Sequence, residues 1–282
     1  MKQLTLPSPA KLNLFLHING RRADGYHELQ TIFQFIDHAD TLYLSERQDS
    51  DIRLLTDFPG VPAEQNLIVR AARLLQAKTG CQKGADIRID KILPMGGGLG
   101  GGSSNAATTL LGLNALWQTG ASIDELAHWG LALGADVPVF VRGEACWAEG
   151  VGEIITPMPE LTENWFVVVV PPCQVNTGKI FSYEGLTRDT PKCKISAALR
   201  GQGRNDCEPV VKNLYKDVAN SLNLLDNFGT AKMTGTGACV YTETSTEEEA
   251  KQILSQLPES VKAFVAKGIN RNPLQNTLHV IS

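Results

Sequence analysis

The chain is predicted to be an α+β protein of two domains. The first half is strand-rich and then helical, and the second runs strand–helix–strand–helix–strand, an order that suggests a compact α+β sandwich. A length of 282 residues favours about two domains. Prolines cluster at Thr156-Pro157-Met158-Pro159, and a boundary there divides residues 1–156 from 157–282.

The elements follow in order. Ala10 to Ile18, Gln30 to Phe35, Thr41 to Leu44 and Asp51 to Leu55 read as strands. Asn66 to Ala77 is an amphipathic helix with Leu67, Ala71, Leu74 and Leu75 on one side. Asp86 to Leu93 alternates as a strand, with apolar Ile87, Ile89 and Leu93. Ala106, Ala107, Leu110, Leu111, Leu113 and Trp117 give the next helix one buried face. Ser122-Ile123-Asp124-Glu125 opens another helix with a capping box, and Gly134 stops it after Leu133. Val137 to Arg142 and Ala145 to Glu149 read as a strand pair turning at Gly143-Glu144. Beyond the boundary come a buried strand at Phe166 to Val170, a helical region from about Glu208 to Asp226, and a strand at Ala238 to Thr242. A helix over Thr246 to Leu257 and a strand at Lys262 to Ala266 complete the second half.

Between the alternating strand and its helix lies Pro94-Met95-Gly96-Gly97-Gly98-Leu99-Gly100-Gly101-Gly102-Ser103-Ser104-Asn105. Glycine lets the backbone take positive φ and approach a ligand without a Cβ in the way. The helix that follows offers unpaired N–H groups and the positive end of its dipole. Together these make an anion pocket suited to nucleotide phosphates. A flexible linker would not stop abruptly at a hydroxyl-rich helix start. It is not a Walker A loop, because no lysine lies in or just after it. The G-x-G-x-x-G match is nearly automatic in so glycine-rich a run, and the second parallel strand of a dinucleotide fold does not follow. V-A-I-K, H-R-D and D-F-G are all missing, so the segment is not a protein-kinase loop.

A net charge of −4 argues against a general nucleic-acid binder, which needs a basic face. The six cysteines are scattered without a CxxC or Cys/His cluster, so structural zinc and a disulfide framework are not expected. No apolar run approaches the ~20 residues that cross a bilayer, and no signal peptide is visible. The expectation is a cytoplasmic protein that acts on a small molecule, with no membrane and no nucleic acid. The sequence does not set its oligomeric state.

Several groups could do chemistry. Ser8-Pro9-Ala10-Lys11-Leu12-Asn13-Leu14 puts Lys11 and Asn13 on one face of a strand, where alternation alone makes Lys11 a solvated residue. Asp136 follows Gly134 closely, where a helix carboxyl end disfavours it and a turn-forming role accounts for it equally. Tyr26 and His27, after the Asp24-Gly25 turn, form either a recognition pair or a surface loop. A second glycine segment, Thr234-Gly235-Thr236-Gly237-Ala238, is explained as well by a tight turn before a strand as by a ligand. Its weight depends on lying opposite the first loop.

Taken together, Pro-Ala-Lys-Leu-Asn (9–13), Asp-Gly-Tyr-His (24–27), the 94–105 loop, Gly-Ala-Asp-Val-Pro (134–138) and Thr-Gly-Thr-Gly-Ala (234–238) resemble the GHMP kinases, in order and over essentially the whole chain. The resemblance implies a ribosomal-S5-like N-terminal domain and a ferredoxin-like C-terminal domain with the active site between them. It implies phosphorylation by ATP, with Mg²⁺, of the 2-hydroxyl of cytidine diphosphate methylerythritol. By the same resemblance Asp136 is the base, and Lys11 orients it and offsets charge. Pro94, Met95, Gly96, Gly97, Gly98, Leu99, Gly100, Gly101, Gly102, Ser103 and Ser104 hold the triphosphate, with Asn66 and Leu67 bordering the adenine. Tyr26 and His27 engage the cytosine end, aided by Asn13, Phe33, Thr177 and Phe181. The alternatives are another small-molecule kinase of the family, on homoserine, mevalonate or a sugar, and a nucleotide-binding regulator without turnover. Tyr26, His27 and Asn13 weigh against the first, and retention of Lys11 and Asp136 against the second.

The chemistry is consistent with these residues. Phosphoryl transfer needs alignment and charge neutralisation more than covalent participation. A positioned base supplies about 10²–10⁴-fold, or roughly 3–5 kcal/mol. With no lysine in the loop, backbone N–H groups, the helix end and Mg²⁺ are expected to carry the phosphate charge. Ser103 or Ser104 serves either the metal or the helix N-cap.

Overall fold

Two long antiparallel strands, β1 (Gln3–Arg21) and β2 (His27–Arg47), form the spine of the molecule. The computed structural model describes residues 2–279. The turn between the strands is closed by Arg22 N–H donating to Tyr26 O. Two of the expected short strands, Gln30 to Phe35 and Thr41 to Leu44, are parts of β2. The alternation breaks at Asp37-His38 because the pairing skips there, from Ala10↔Ile36 to Pro9↔Ala39. A β-bulge absorbs extra residues without ending a strand.

The first half continues with β3 (Ile52–Leu54), α1 (Leu67–Thr79), β4 (Gly84–Asp90), α2 (Gly101–Trp117), α3 (Ile123–Gly130) and α4 (Val137–Arg142). Two further strands, β5 (Cys146–Gly150) and β6 (Ile154–Pro157), complete it. β2 is flanked by β1, β4 and β5, and the sheet buries one face beneath α1 and α2. Gly112 lets α2 approach closely, since a Cβ there would lie 2.5 Å from both Leu6 and Leu44.

The segment 137–142 is a helix, contrary to the strand expected there. Val137, Val139 and Val141 alternate, but Val137, Pro138, Val139, Phe140 and Val141 are all buried, so the alternation does not mark a solvent face. Pro138 near the helix start sets φ for the first turn, and Gly143 in the left-handed region ends the helix. Packing on all sides outweighs the modest helix penalty of valine.

The second half contains β7 (Trp165–Val169), α5 (Thr177–Ser182), the short α6 (Ile195–Ala197), α7 (Glu208–Leu214), α8 (Lys216–Leu225), β8 (Lys232–Met233) and β9 (Val240–Thr244). It ends with α9 (Glu247–Gln256), β10 (Ala263–Ile269) and α10 (Pro273–His279). The order β10-β7-β9-β8, with helices between the first and second and the third and fourth strands in sequence, is ferredoxin-like. The α+β expectation holds.

β10 also pairs with β2 through Gly268↔Ile36 and Ile269↔Phe35, so one ten-stranded sheet runs through both halves. Leu274 of α10 is fully buried in the first core. A separate cluster joins the halves: Ala10, Leu12, Ile36, Leu93 and Leu99 from the first, with Phe166, Val168, Cys239, Tyr241 and Ala266 from the second. Among the described residues no helix is long and apolar enough to cross a membrane.

Candidate active site

The glycine loop is held from below. Asp40, fully buried on β2, accepts from the N–H groups of Ile92 and Leu93 at 2.8 Å each and pairs with Lys91 Nζ at 2.8 Å. Leu99 drops into the cluster shared by the two halves. With those two anchors set, the backbone turns through Gly96, Gly98 and Gly100 at φ 68°, 75° and 71°. A Cβ on Gly98 would lie 2.3 Å from Thr234 O, so only glycine fits. α2 then begins at Gly101, and Ser104 N–H, donating to Gly100 O at 2.8 Å, closes its first turn. The N–H groups before it have no intrahelical acceptor.

The second glycine segment does lie against the first. Cys239 N–H donates to Gly97 O at 3.0 Å, and Thr234 Oγ1 donates to Gly98 O at 3.3 Å. Thr234 Oγ1 also accepts from Asn13 N–H at 3.0 Å. Asn205 holds this segment in place, its amide donating to Met233 O and Gly235 O at 2.8 Å each.

Lys11 is buried, contrary to the solvated position that alternation suggests. The two glycine segments, Phe33 and the start of α4 close over that face of β1. Its Nζ donates to Gly98 O at 2.9 Å and to Asn13 Oδ1, and lies 5.2 Å from the Phe33 ring centroid. Asn13 is turned by its own donation to Thr31 Oγ1 at 2.9 Å. Lys11 Nζ stands 3.6 Å from Asp136 Oδ2. Burial lowers the pKa of Lys11, with Asp136 opposing. Asp136 occupies the N-terminal end of α4, not a helix carboxyl end, and its side chain caps nothing. The carboxylate keeps about a third of its surface open, 32%.

A cleft of about 630 Å³ opens over this pair. Lys11, Asp136, Asn13 and Phe33 line it, as do Asn66, Leu67, Thr177 and Phe181. Of the loop, Pro94, Met95, Gly96, Gly98, Gly100, Gly101, Gly102 and Ser103 face it. Gly97, Leu99 and Ser104 do not. Gly97 is pressed against Cys239, Leu99 is in the core, and Ser104 Oγ accepts from Ser8 Oγ at 2.8 Å. Neither hydroxyl caps α2, whose N-cap is Gly100. His27 and Tyr26 stand outside the lining. His27 is buried behind Phe181, stacked on it at 5.0 Å, and Tyr26 is 62% exposed on the turn.

Some contributors escaped the sequence reading. Lys91 precedes the loop by only two residues and lines the cleft, its Nζ 3.3 Å from the Cβ position of Gly101. A cation therefore does stand at the glycine loop. Burial lowers its pKa, while Asp40 opposes. Its position three residues before Pro94 was the available signal. Phe58, Val61 and Gln65 join Asn66 and Leu67 in the lining of the cleft, and the sequence carries no motif that marks them.

Residues 66–144 match the GHMP kinases N terminal domain, and residues 194–263 match the GHMP kinases C terminal family. The chain is 57% identical over 280 residues to the 4-diphosphocytidyl-2-C-methyl-D-erythritol kinase of Pseudomonas savastanoi pv. phaseolicola, covering 99% of this chain and 96% of that protein. A crystal structure of 4-(cytidine 5'-diphospho)-2C-methyl-D-erythritol kinase superposes with a TM-score of 0.81 at 29% identity, covering 95% of this chain and 100% of that one. The mevalonate kinase of Methanococcus jannaschii shares the fold, with a TM-score of 0.68 at 18% identity, over 95% of this chain and 99% of its own.

Proposed function

From the premise that the chain belongs to the GHMP kinases, among the 4-diphosphocytidyl-2-C-methyl-D-erythritol kinases, we propose a residue-level account of its phosphoryl transfer. It is a phosphotransferase with an alcohol acceptor in isoprenoid precursor synthesis; ATP is the donor and the acceptor is a small molecule. Our reading is that the group phosphorylated is the 2-hydroxyl of 4-(cytidine 5'-diphospho)-2-C-methyl-D-erythritol, and that the enzyme works in the cytoplasm.

The triphosphate lies along residues 94–103, against the N–H groups at the start of α2 and beside Lys91. Asn66 and Leu67 border the adenine. Asp136 accepts the hydroxyl proton as the substrate oxygen bonds to the γ-phosphorus and ADP departs. Lys11, held by Gly98 O and Asn13, keeps the carboxylate facing that hydroxyl and offsets the charge gathering on the transferred group. Phe181, backed by His27, offers a flat face to the cytosine, and Tyr26 brings a second ring from the neighbouring turn. Asn13, Phe33 and Thr177 line the path between base and reacting hydroxyl.

Mg²⁺ fits the mouth of this cleft. Ser103 and Asp136 both line it, and Ser103 Oγ lies 3.4 Å from the Cβ position of Gly134, two residues before Asp136. Both are hard oxygen donors of the kind Mg²⁺ takes alongside phosphates and water. When bound, the ion neutralises charge on the β- and γ-oxygens. Among the described residues no group of three His, Cys, Asp or Glu is placed to hold a metal without the nucleotide.

The observation that carries the account is the meeting of Lys11 and Asp136, 3.6 Å apart, beside the glycine loop. The test is ATP consumption with a panel of alcohols. Turnover with the cytidine diphosphate substrate and none with homoserine, mevalonate or galactose is expected. Comparable turnover of any of those three contradicts the assignment.

A further inference from the structure

Arg188 engages all five of its guanidinium N–H groups. Nη2 donates to Phe181 O at 2.9 Å and Tyr183 O at 2.6 Å, and Nη1 to Leu186 O at 3.1 Å and Glu184 O at 3.4 Å. These four carbonyls belong to the end of α5 and the turn after it. The fifth bond crosses to the other half of the molecule, where Nε donates to His27 Nε2 at 3.2 Å. An imidazole nitrogen that accepts a hydrogen bond carries no proton. The neutral ring therefore holds its proton on Nδ1, which is its donor. The same guanidinium thus anchors the backbone of Phe181 and sets the tautomer of the ring stacked on it.

We propose that Arg188 is a positioning residue for the pyrimidine end of the substrate, fixing His27 as the Nδ1–H tautomer and holding Phe181 against it. This rests on the reading that His27 and Phe181 form the cytosine subsite. Burial, with the charges of Arg188 and Arg21 added, lowers the pKa of His27, which keeps the ring neutral. A lysine cannot replace the fork, because a point-like ammonium does not reach four carbonyls and an imidazole together.

The test compares the wild-type enzyme with Arg188→Ala, Arg188→Lys and His27→Ala. Nitrogen-15 NMR reads the imidazole, and steady-state kinetics reads KM for each substrate. The wild type should show His27 protonated at Nδ1 alone. Arg188→Ala should mix the tautomers, raise the His27 titration midpoint and raise KM for the cytidine substrate by about tenfold, or 1.4 kcal/mol. KM for ATP and kcat should stay within about twofold, a margin of roughly 0.4 kcal/mol. Arg188→Lys should fall between, and it carries the test if the alanine variant does not fold. An unchanged KM for the cytidine substrate, a retained single tautomer, or an equal rise in KM for ATP overturns the proposal. His27→Ala separates the two levels. If it raises KM while the Arg188 variants do not, only the positioning role fails. If it too leaves KM unchanged, the cytosine subsite itself is misassigned.

Discussion

Lys11 and Asp136 meet at 3.6 Å with unequal exposure, the lysine side chain 4% accessible and the aspartate 32%. The lysine is anchored by Gly98 O and Asn13, whereas the carboxylate makes no cap bond to its own helix. One partner is a fixed charge within the protein and the other faces the cleft. That asymmetry suits a base that must meet a substrate hydroxyl beside a cation that must stay in place.

Asp136→Asn is expected to lower kcat by about 10²–10⁴-fold, the range for loss of a positioned base. Affinity for ATP without Mg²⁺ should hold, because the glycine loop and the start of α2 are untouched. Single-turnover kinetics and nucleotide titration check the two halves separately. A well-folded variant with unchanged kcat removes Asp136 from the chemistry.

The burial of Lys11 sets a pH dependence. Its pKa in the folded chain lies below the ordinary 10.5, from desolvation that Asp136 does not fully offset. Between the two values the unfolded chain holds the proton and the folded chain does not, so stability attributable to this group rises with pH across that window. Below the folded pKa both states are charged and the full cost of burial is present. Lys11→Met should therefore gain stability relative to the wild type near neutrality, and lose that advantage as pH climbs through the window. Activity should move the other way, with kcat/KM falling over the same interval as the ammonium is lost. Melting temperatures and rate profiles from pH 7 upward test both; a profile flat up to the ordinary lysine range counts against the assignment.

Much of the form of the glycine loop was legible because its causes are local. An alternating strand, a run of glycines and a helix start lie within one short stretch, and backbone sterics alone give their meaning. The capping box at Ser122 and Glu125 was legible for the same reason and is present. What escaped depends on partners far along the chain. Lys11 reads as solvated until Gly98 and Asp136 arrive to hold it, and Asp40 carries no motif because its partners Lys91, Ile92 and Leu93 lie some fifty residues on. The helix at 137–142 was hidden because burial on every side makes alternation uninformative. Asn205 and Arg188 carry no motif, since their work is to satisfy carbonyls of segments folded beside them.

Two glycines of the loop should respond oppositely to alanine. Gly98 holds φ 75°, and its Cβ would lie 2.3 Å from Thr234 O. Left-handed backbone costs a non-glycine residue about 1–2 kcal/mol before the clash is counted. Gly98→Ala should therefore lower the melting temperature and part the two glycine segments. Gly102 lies inside α2, where a Cβ meets only Leu67 Cδ1 at 3.4 Å. Alanine there should be neutral or stabilise by about 0.5–1 kcal/mol, while narrowing the cleft beside Leu67 and weakening ATP binding. Thermal melts with nucleotide titrations distinguish these outcomes.

Asn205 offers a test of the second glycine segment without touching the cleft lining. Its Nδ2 serves Met233 O and Gly235 O, while its Oδ1 accepts from Cys207 N–H at 3.0 Å. Asn205→Ala removes all three bonds, and at about 1 kcal/mol net each the loss should be roughly 2–3 kcal/mol. Asn205→Asp keeps the acceptor for Cys207 but turns a second oxygen toward two carbonyls, so repulsion replaces attraction. The stability order should be Asn, then Ala, then Asp, although aspartate is closer in shape. Because Gly235 stands 3.3 Å, measured from its Cβ position, from both Asn13 Oδ1 and Gly98 O, kcat should fall along the same series. Denaturant melts and turnover rates on the three proteins decide it. An aspartate variant as stable and active as the wild type means that the amide protons do not hold this segment in place.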